Sequence, residues 1–174
     1  MSIINQRVTT LHDLLDYDAG KFTSAEAQLT KSLAEWINMA GSLKLKTVLQ
    51  KYRDLVQQHI QNLEDFFDAE KINAISMSNR VMHAFIEELN EKLSNCTDAE
   101  IKDACLLAGI QAINHFKISM YGTAAAFANT LDMEKQAALF HAAEINEKQI
   151  DDRLSQLAEF EINKNARAPV VLPR

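Results

Sequence analysis

The segment Asn114-His115-Phe116-Lys117-Ile118-Ser119-Met120-Tyr121-Gly122-Thr123 lies within a long stretch that contains no proline. The chain has two prolines, Pro169 and Pro173, so residues 1–168 have none. Only four glycines occur among 174 residues, and 47% of the residues are hydrophobic. This composition is typical of an all-helical protein. We therefore interpret the segment as the inner face of a long helix.

Apolar side chains recur at spacings of three, four and seven residues, which is the pattern of amphipathic helices. The predicted helices run from Thr9 or Thr10 to just before Gly41, from Ser42 to about Ala69, from Asn79 to Asn95, from a capping box at Thr97-Asp98-Ala99-Glu100 to about Leu131, and from a cap at Asp132 to about Phe160. Four long helices and one shorter helix predict a four-helix bundle. Periodicity alone does not select its connectivity.

Charge and hydropathy exclude two classes of partner. The net charge is −6, with acidic and basic residues interspersed, so we expect no nucleic-acid binding. No apolar run approaches the roughly 20 residues that span a bilayer, so we expect no membrane insertion. Residues 1–10 lack the apolar core of a signal peptide. We therefore expect a cytoplasmic protein.

The two cysteines lie close to the start of the fourth predicted helix. If that helix were continuous between Cys96 and Cys105, nine residues at about 1.5 Å each would separate them by roughly 13 Å. A disulfide needs Cα atoms within about 7 Å of each other. We therefore expect two reduced structural thiols.

The opening segment resembles the E-H-Y-E-I-x-x-Y-G-T segment of the YciE/YciF-like family of ferritin-like bacterial stress proteins. Five further segments resemble this family in order: Leu11–Leu15, Ser24–Leu29, Met82–Glu88, Asp103–Ala108 and Glu147-Lys148. The resemblance covers about residues 11–158. It implies an all-α, ferritin-like antiparallel four-helix bundle with one extra shorter helix. It also implies a compact protein that is often dimeric and linked to stress responses.

The domain organisation follows from the same patterns. We predict one ferritin-like helical domain over residues 1–162 and a flexible C-terminal tail over residues 163–174. The tail is polar at first and then contains both prolines. Its apolar segment Val170-Val171-Leu172 could dock on a partner.

The resemblance implies a di-iron-type carboxylate site between the four long helices. Asn114 and Lys117 stand where the family has acidic residues, and Leu55 stands at a third such position. Two metal ions bring about four positive charges into a low-dielectric core, so neutral or cationic replacements are costly. We therefore expect an emptied site with no cofactor. Lys117 could pair with Glu26 or Glu147 and replace the metal cation.

A reduced metal site is the alternative. Glu26 and Glu147 lie on the inward apolar stripes of the first and fifth helices, where a lone carboxylate needs a partner. His59 and His115 could add nitrogen ligands. These four residues could together bind iron or manganese. The competing interpretations are a helix-edge or hydrogen-bonded Glu and a His in the core or at an interface.

Two functions remain open from the sequence. The first is a non-catalytic ferritin-like bundle protein with a structural or interaction role in a stress response. The second is a metal-dependent oxidase or peroxide-scavenging protein. We also predict a homodimer, with a further protein partner unidentified, because the chain has surplus large apolar residues. These residues are Trp36, Ile37, Met39, Phe140 and Phe160. The alternative is that the extra shorter helix and the tail cover them.

Overall fold

The computed structural model describes residues 7–71 and 77–167, which form helices and no strand. The helices are α1 (Leu11–Met39), α2 (Leu43–Glu70), α3 (Arg80–Asn95), α4 (Ala99–Thr130) and α5 (Glu134–Leu157). A π-helical turn, Ala158–Ile162, and a last α-helical turn, Asn163–Ala166, continue α5. The predicted all-α fold, with four long helices and one shorter helix, is confirmed.

The helix starts follow the capping chemistry of the sequence at most positions. Thr10 and Asp13 form a capping box at α1, in which Thr10 Oγ1 accepts from Asp13 N and Asp13 Oδ2 accepts from Thr10 N, both at 3.0 Å. The side chains of Ser42 and Asn79 cap α2 and α3. Each cap satisfies a backbone N–H that has no partner within its own helix.

Two predicted caps are wrong. Asp98, not Thr97, caps α4, because its Oδ1 accepts from the backbone N–H groups of the second and third residues that follow, at 3.0 and 3.2 Å. Asp132 does not cap α5. Its φ of 57° places it in the left-handed region, and Met133 takes the cap position without a side-chain hydrogen bond.

The four long helices form a square in the order α1, α2, α5, α4, because α1 and α5 each pack against both α2 and α4. Two apolar clusters, one toward each end of the bundle, set the helix directions. The residues that mark the two ends are Leu15 and Trp36 in α1, Leu45 and Phe66 in α2, Leu106 and Ala128 in α4, and Phe140 and Leu154 in α5. Helices α1 and α5 therefore run one way, and α2 and α4 run the other way. This is the connectivity of ferritin-like bundles.

Helix α3 connects the parallel helices α2 and α4 by carrying the chain back along the bundle. It packs against α1 and α4. Trp36 Nε1 donates to Asn90 Oδ1 at 2.8 Å, which anchors α3 on α1. A Cβ atom on Gly109 would lie 2.4 Å from Leu89 Cδ1, so the glycine allows α3 to approach α4 closely.

Fewer of the large apolar side chains are exposed than the sequence predicted. Trp36 and Phe140 are 0% exposed and belong to the core, because α3 covers the first and α1 and α2 enclose the second. Met39 and Phe160 are exposed, and so is Leu43 at the start of α2. No helix among the described residues has the length and hydropathy to cross a membrane.

The helical region extends beyond its predicted end at residue 162. Asn163–Ala166 are helical because the π-helical turn keeps Ile162 buried and continues the helix axis. The remainder of the predicted tail, residues 168–174 with the segment Val170–Leu172, lies outside the described residues.

Candidate metal centre

Four polar side chains meet between the two apolar clusters, one from each long helix. They are Glu26 of α1, His59 of α2, Lys117 of α4 and Glu147 of α5. Their exposed fractions are 0%, 1%, 0% and 1%. Each occupies an inward position of its apolar stripe, so the packing that buries the stripes also brings these four groups together.

The Lys117 ammonium group lies between the two carboxylates. Its Nζ atom is 2.9 Å from Glu26 Oε2 and 2.5 Å from Glu147 Oε1. Nζ also lies 4.9 Å from the centroid of the Tyr52 ring. The predicted pairing of Lys117 with Glu26 or Glu147 is therefore confirmed, and it involves both carboxylates at once.

The other carboxylate oxygens receive hydrogen bonds from the surrounding helices. Tyr121 OH donates to Glu26 Oε1. Tyr52 OH donates to Glu147 Oε2 at 2.7 Å, and Asn114 Nδ2 donates to the same oxygen at 2.6 Å. Asn114 Nδ2 also lies 3.0 Å from the Glu147 backbone oxygen. A buried carboxylate needs such donors, because it has lost the water that would otherwise solvate it.

His59 completes the cluster. Its Nδ1 atom lies 3.4 Å from Glu26 Oε1 and 3.5 Å from Glu147 Oε1. Its Nε2 atom lies 3.3 Å from Asn146 Nδ2. The imidazole therefore lies against both carboxylates through Nδ1 and against the Asn146 amide through Nε2.

The electrostatics of the cluster favour ionised Glu26 and Lys117. Burial alone would raise the pKa of Glu26, but the Lys117 charge and the hydrogen bond of His59 outweigh it, so this pKa lies below its usual value. Burial alone would lower the pKa of Lys117, but Glu147 and Glu26 outweigh it, so that pKa lies above its usual value. Each ion therefore holds its partner in the charged form.

The two tyrosines remain protonated donors. Burial raises the pKa of Tyr52 and of Tyr121 well above 10.0, and the adjacent carboxylates add to both shifts. Deprotonation would place a third anion beside Glu26 and Glu147. Both hydroxyls therefore donate to the carboxylates across the physiological pH range.

The residues present do not fit a dinuclear metal site. Glu26, His59 and Glu147 offer ligand atoms within 4.8 Å of one another. However, Lys117 Nζ contacts both carboxylates, so a metal bound there would lie against a fixed positive charge. Leu55 packs against the apolar core, and Asn114 already donates to Glu147. The cluster thus has its own cation and too few anionic ligands for two metal ions.

Three of the four predicted metal ligands come together, and His115 does not. The His115 side chain is 64% exposed, and its Nε2 atom lies 3.0 Å from Asp151 Oδ2. One residue along an α-helix turns the side chain by about 100°, so the neighbour of inward Asn114 points away from the core. His115 therefore belongs to the bundle surface.

Sequence reasoning missed the roles of Tyr52 and Tyr121. Both tyrosines lie on the buried stripes of their helices, and apolar periodicity predicts the packing of such residues but not their hydrogen bonds. The available signal was the phenol hydroxyl, because a tyrosine on a buried stripe needs a hydrogen-bond partner. Beside Tyr121, Gly122 permits a close approach by the Glu144 side chain, because a Cβ atom on Gly122 would lie 3.2 Å from Glu144 Oε1.

Comparison with known proteins identifies related sequences over most of the chain. The family model of a domain of unknown function, DUF892, matches residues 10–167. Protein YciF of Escherichia coli strain K12 is 30% identical over 158 residues, which cover 90% of this chain and 95% of the relative. The resemblance to the YciE/YciF-like family is confirmed.

Solved structures share the fold. The crystal structure of the E. coli stress protein YciF gives a TM-score of 0.85 at 29% identity, covering 90% of this chain and 99% of that one. YcfI from Rhodopseudomonas palustris gives 0.83 at 24% identity, covering 89% and 98%. A two-domain Anabaena variabilis protein with dj-1/thij/pfpi-like and ferritin-like domains gives 0.61 at 14% identity, covering 95% of this chain and 40% of that one. The ferritin-like architecture is therefore confirmed.

The first prediction concerns removal of the buried cation. Lys117→Met should lower the free energy of unfolding by about 3–5 kcal/mol, because two buried carboxylates would face each other without their counter-ion. Urea unfolding measures the change. The matched control is Lys51→Met on the exposed face of α2, which should change stability by less than about 0.5 kcal/mol. Equal effects of the two substitutions would show that the ion pairs do not stabilise the fold.

The second prediction concerns pH. A carboxylate with a lowered pKa in the folded state stabilises the fold above its unfolded pKa, near 4.5, and loses this contribution as the pH falls through the folded value. At neutral pH, Glu26→Gln should therefore be less stable than the wild type. This gap should stay constant from neutral pH down to the unfolded pKa near 4.5 and narrow as the pH falls further. Chemical unfolding at several pH values measures it, and a gap that also stays constant below the unfolded pKa would contradict the depressed pKa of Glu26.

Proposed function

We propose that this chain, which belongs to the DUF892 family, is a non-catalytic ferritin-like bundle protein with a structural or interaction role in a cytoplasmic stress response. The position of Lys117 carries the proposal. Its ammonium group contacts Glu26 and Glu147 within 2.9 Å, at the centre of the four long helices, and its side chain is 0% exposed. A covalently attached cation therefore does the charge balancing that a bound metal would otherwise do.

The surroundings of Lys117 support a non-catalytic role. Metal-dependent oxidation needs a coordination position open to an oxidant. Both carboxylates are instead buried against the Lys117 ammonium group. Glu26 also accepts from Tyr121, and Glu147 accepts from Tyr52 and Asn114. These contacts favour a rigid core over a centre that exchanges ligands.

The proposed link to stress responses rests on one relative. The E. coli protein YciF is described as a stress protein, and this chain matches 99% of the length of its solved structure. The similarity therefore concerns the whole bundle and not one shared motif. A structural role also agrees with a core that stays charge-balanced without an exogenous ion.

The second candidate is the metal-dependent oxidase or peroxide-scavenging protein that uses iron or manganese. The observation that favours it is the convergence of Glu26, His59 and Glu147 within 4.8 Å. One metal ion could use these ligands only if the Lys117 ammonium group left the cluster. That movement would break two ion pairs and bury the lysine charge elsewhere, so we place this function second.

The third prediction separates the two candidates by metal content. Untagged protein purified from medium with added iron and manganese should contain far less than one metal ion per chain, because Lys117 occupies the cation position. Elemental analysis of the wild type measures this. Lys117→Ala is the matched test, since it keeps Glu26, His59 and Glu147 and should bind Mn²⁺ more tightly. Stoichiometric metal in the wild type, lost in Glu26→Ala, would overturn the non-catalytic proposal.

We also propose that the chain forms a homodimer. Met39, Leu43 and Phe160 are large apolar residues with exposed fractions of 47%, 78% and 66%. All three lie toward one end of the bundle, where Lys44 of α2 pairs with Glu161 of the π-helical turn. Burying such side chains is favourable, and closed two-fold dimers are the commonest assembly.

The fourth prediction is the mass in solution. Light scattering at micromolar concentration should give about twice the 19.6 kDa of one chain. Phe160→Glu should shift the population toward monomer, because an exposed charge opposes burial in an interface. Val8→Glu is a control, as Val8 is also exposed but precedes α1. A wild-type mass near that of one chain would reject the dimer.

A further inference from the structure

The two cysteines lie at the hairpin between α3 and α4. Cys96 forms the C-cap of α3, and Cys105 lies in the second turn of α4. The estimate of roughly 13 Å between them assumed one continuous helix. That assumption is wrong, because α3 ends at Asn95 and α4 begins at Ala99. The chain reverses direction between the two thiols and brings their helices side by side.

The packing of α3 on α4 places the two thiols on facing sides. Leu89, Leu93 and Cys96 follow one another at spacings of four and three, so they share one face of α3. Cys105 and Gly109 are four residues apart and share one face of α4. Gly109 lies against Leu89, which fixes the register of the two faces. In an antiparallel pair, Cys105 then lies level with the last turn of α3.

The immediate surroundings of the thiols agree with this register. Cys96 Sγ lies 3.3 Å from the Lys92 backbone oxygen, which points the thiol along the last turn of α3. Burial raises the pKa of the Cys105 thiol, and the neighbouring Cys96 thiol raises it further. Both residues are free and half-buried, so a small oxidant can reach them.

We propose that Cys96 and Cys105 form a redox site that a peroxide converts to a reversible intramolecular disulfide. Cys96, as its thiolate, attacks one oxygen of the peroxide and becomes a sulfenic acid, while the O–O bond breaks and the other oxygen leaves as water once protonated. The second thiol displaces the sulfenic hydroxyl as a second water and forms the S–S bond. The two sulfurs thus lose two electrons in total, and the peroxide is reduced to two molecules of water. A cellular dithiol reductant reverses the change by thiol–disulfide exchange.

The disulfide would change how firmly α3 is held against the rest of the bundle. It would join the end of α3 to α4 and close a loop of ten residues. Closing this loop restricts the unfolded chain and holds α3 against the bundle. The oxidised chain would therefore keep α3 over Trp36 more firmly than the reduced chain. This site lies apart from the Lys117 cluster and does not depend on the proposed function.

The experiment compares reduced and oxidised full-length protein. Reduced, desalted protein is exposed to hydrogen peroxide, unfolded in an alkylating agent and weighed by mass spectrometry. The expected product lacks both alkyl groups, is about 2 Da lighter than the reduced chain and returns to the dithiol form with dithiothreitol. Peptide mapping should show residues 96 and 105 joined. Two thiols that remain alkylatable, or products confined to sulfinic acids and disulfides between chains, would overturn the proposal.

Two further measurements test the role of the fold. The folded chain should form the bond roughly tenfold faster than the chain unfolded in urea, because the hairpin holds the thiols together. Equal rates would contradict the proposed geometry. The oxidised wild type should melt roughly 5–10 °C above the reduced form. Cys96→Ser and Cys105→Ser should each abolish the melting shift, and a shift that survives in either variant would also contradict the proposal.

Discussion

The centre of this bundle depends on the ion pairs between the Lys117 ammonium group and the carboxylates of Glu26 and Glu147. Two carboxylates without water repel each other, and each would be driven toward its neutral form. One lysine within 2.9 Å of both offsets this repulsion and keeps Glu26 ionised. Tyr52, Tyr121 and Asn114 donate short hydrogen bonds to the carboxylates, and these bonds spread the remaining negative charge.

This cluster also constrains how the four long helices pack. Each of them contributes one member, so a shift of one helix along its axis would separate an ion from its partners. The apolar stripes alone tolerate exchange among similarly sized side chains. Leaving a buried ion without its partner costs much more free energy of folding than displacing a leucine. The apolar clusters on either side provide most of the stabilisation, and we infer that the charged layer between them selects the register.

Much of this structure could be predicted from the sequence. The apolar stripes gave the five helices, and the inward positions of Glu26, Lys117 and Glu147 predicted their meeting. Local geometry was less accessible: Thr97 and Asp132 have capping side chains, but which residue caps a helix depends on the backbone path through the turn. The expectation that His115 joins the metal ligands did not hold for a related reason, because the residue that follows an inward residue on a helix points outward. The relation of Cys96 to Cys105 depends on how α3 packs against α4, which the spacing of residues along the chain does not reveal.

A covalently attached cation changes what such a bundle can do. A metal-bound core is most stable when the ion is available and loses stability when the ion is removed, because binding energy then contributes to folding. Lys117 is present in every copy of the chain and is never lost by dissociation. Under the proposed function, the ammonium group that balances the core charge without a metal ion also offers no coordination position to an oxidant. In that proposal, a scaffold of constant stability and the absence of a reaction centre would both follow from one side chain.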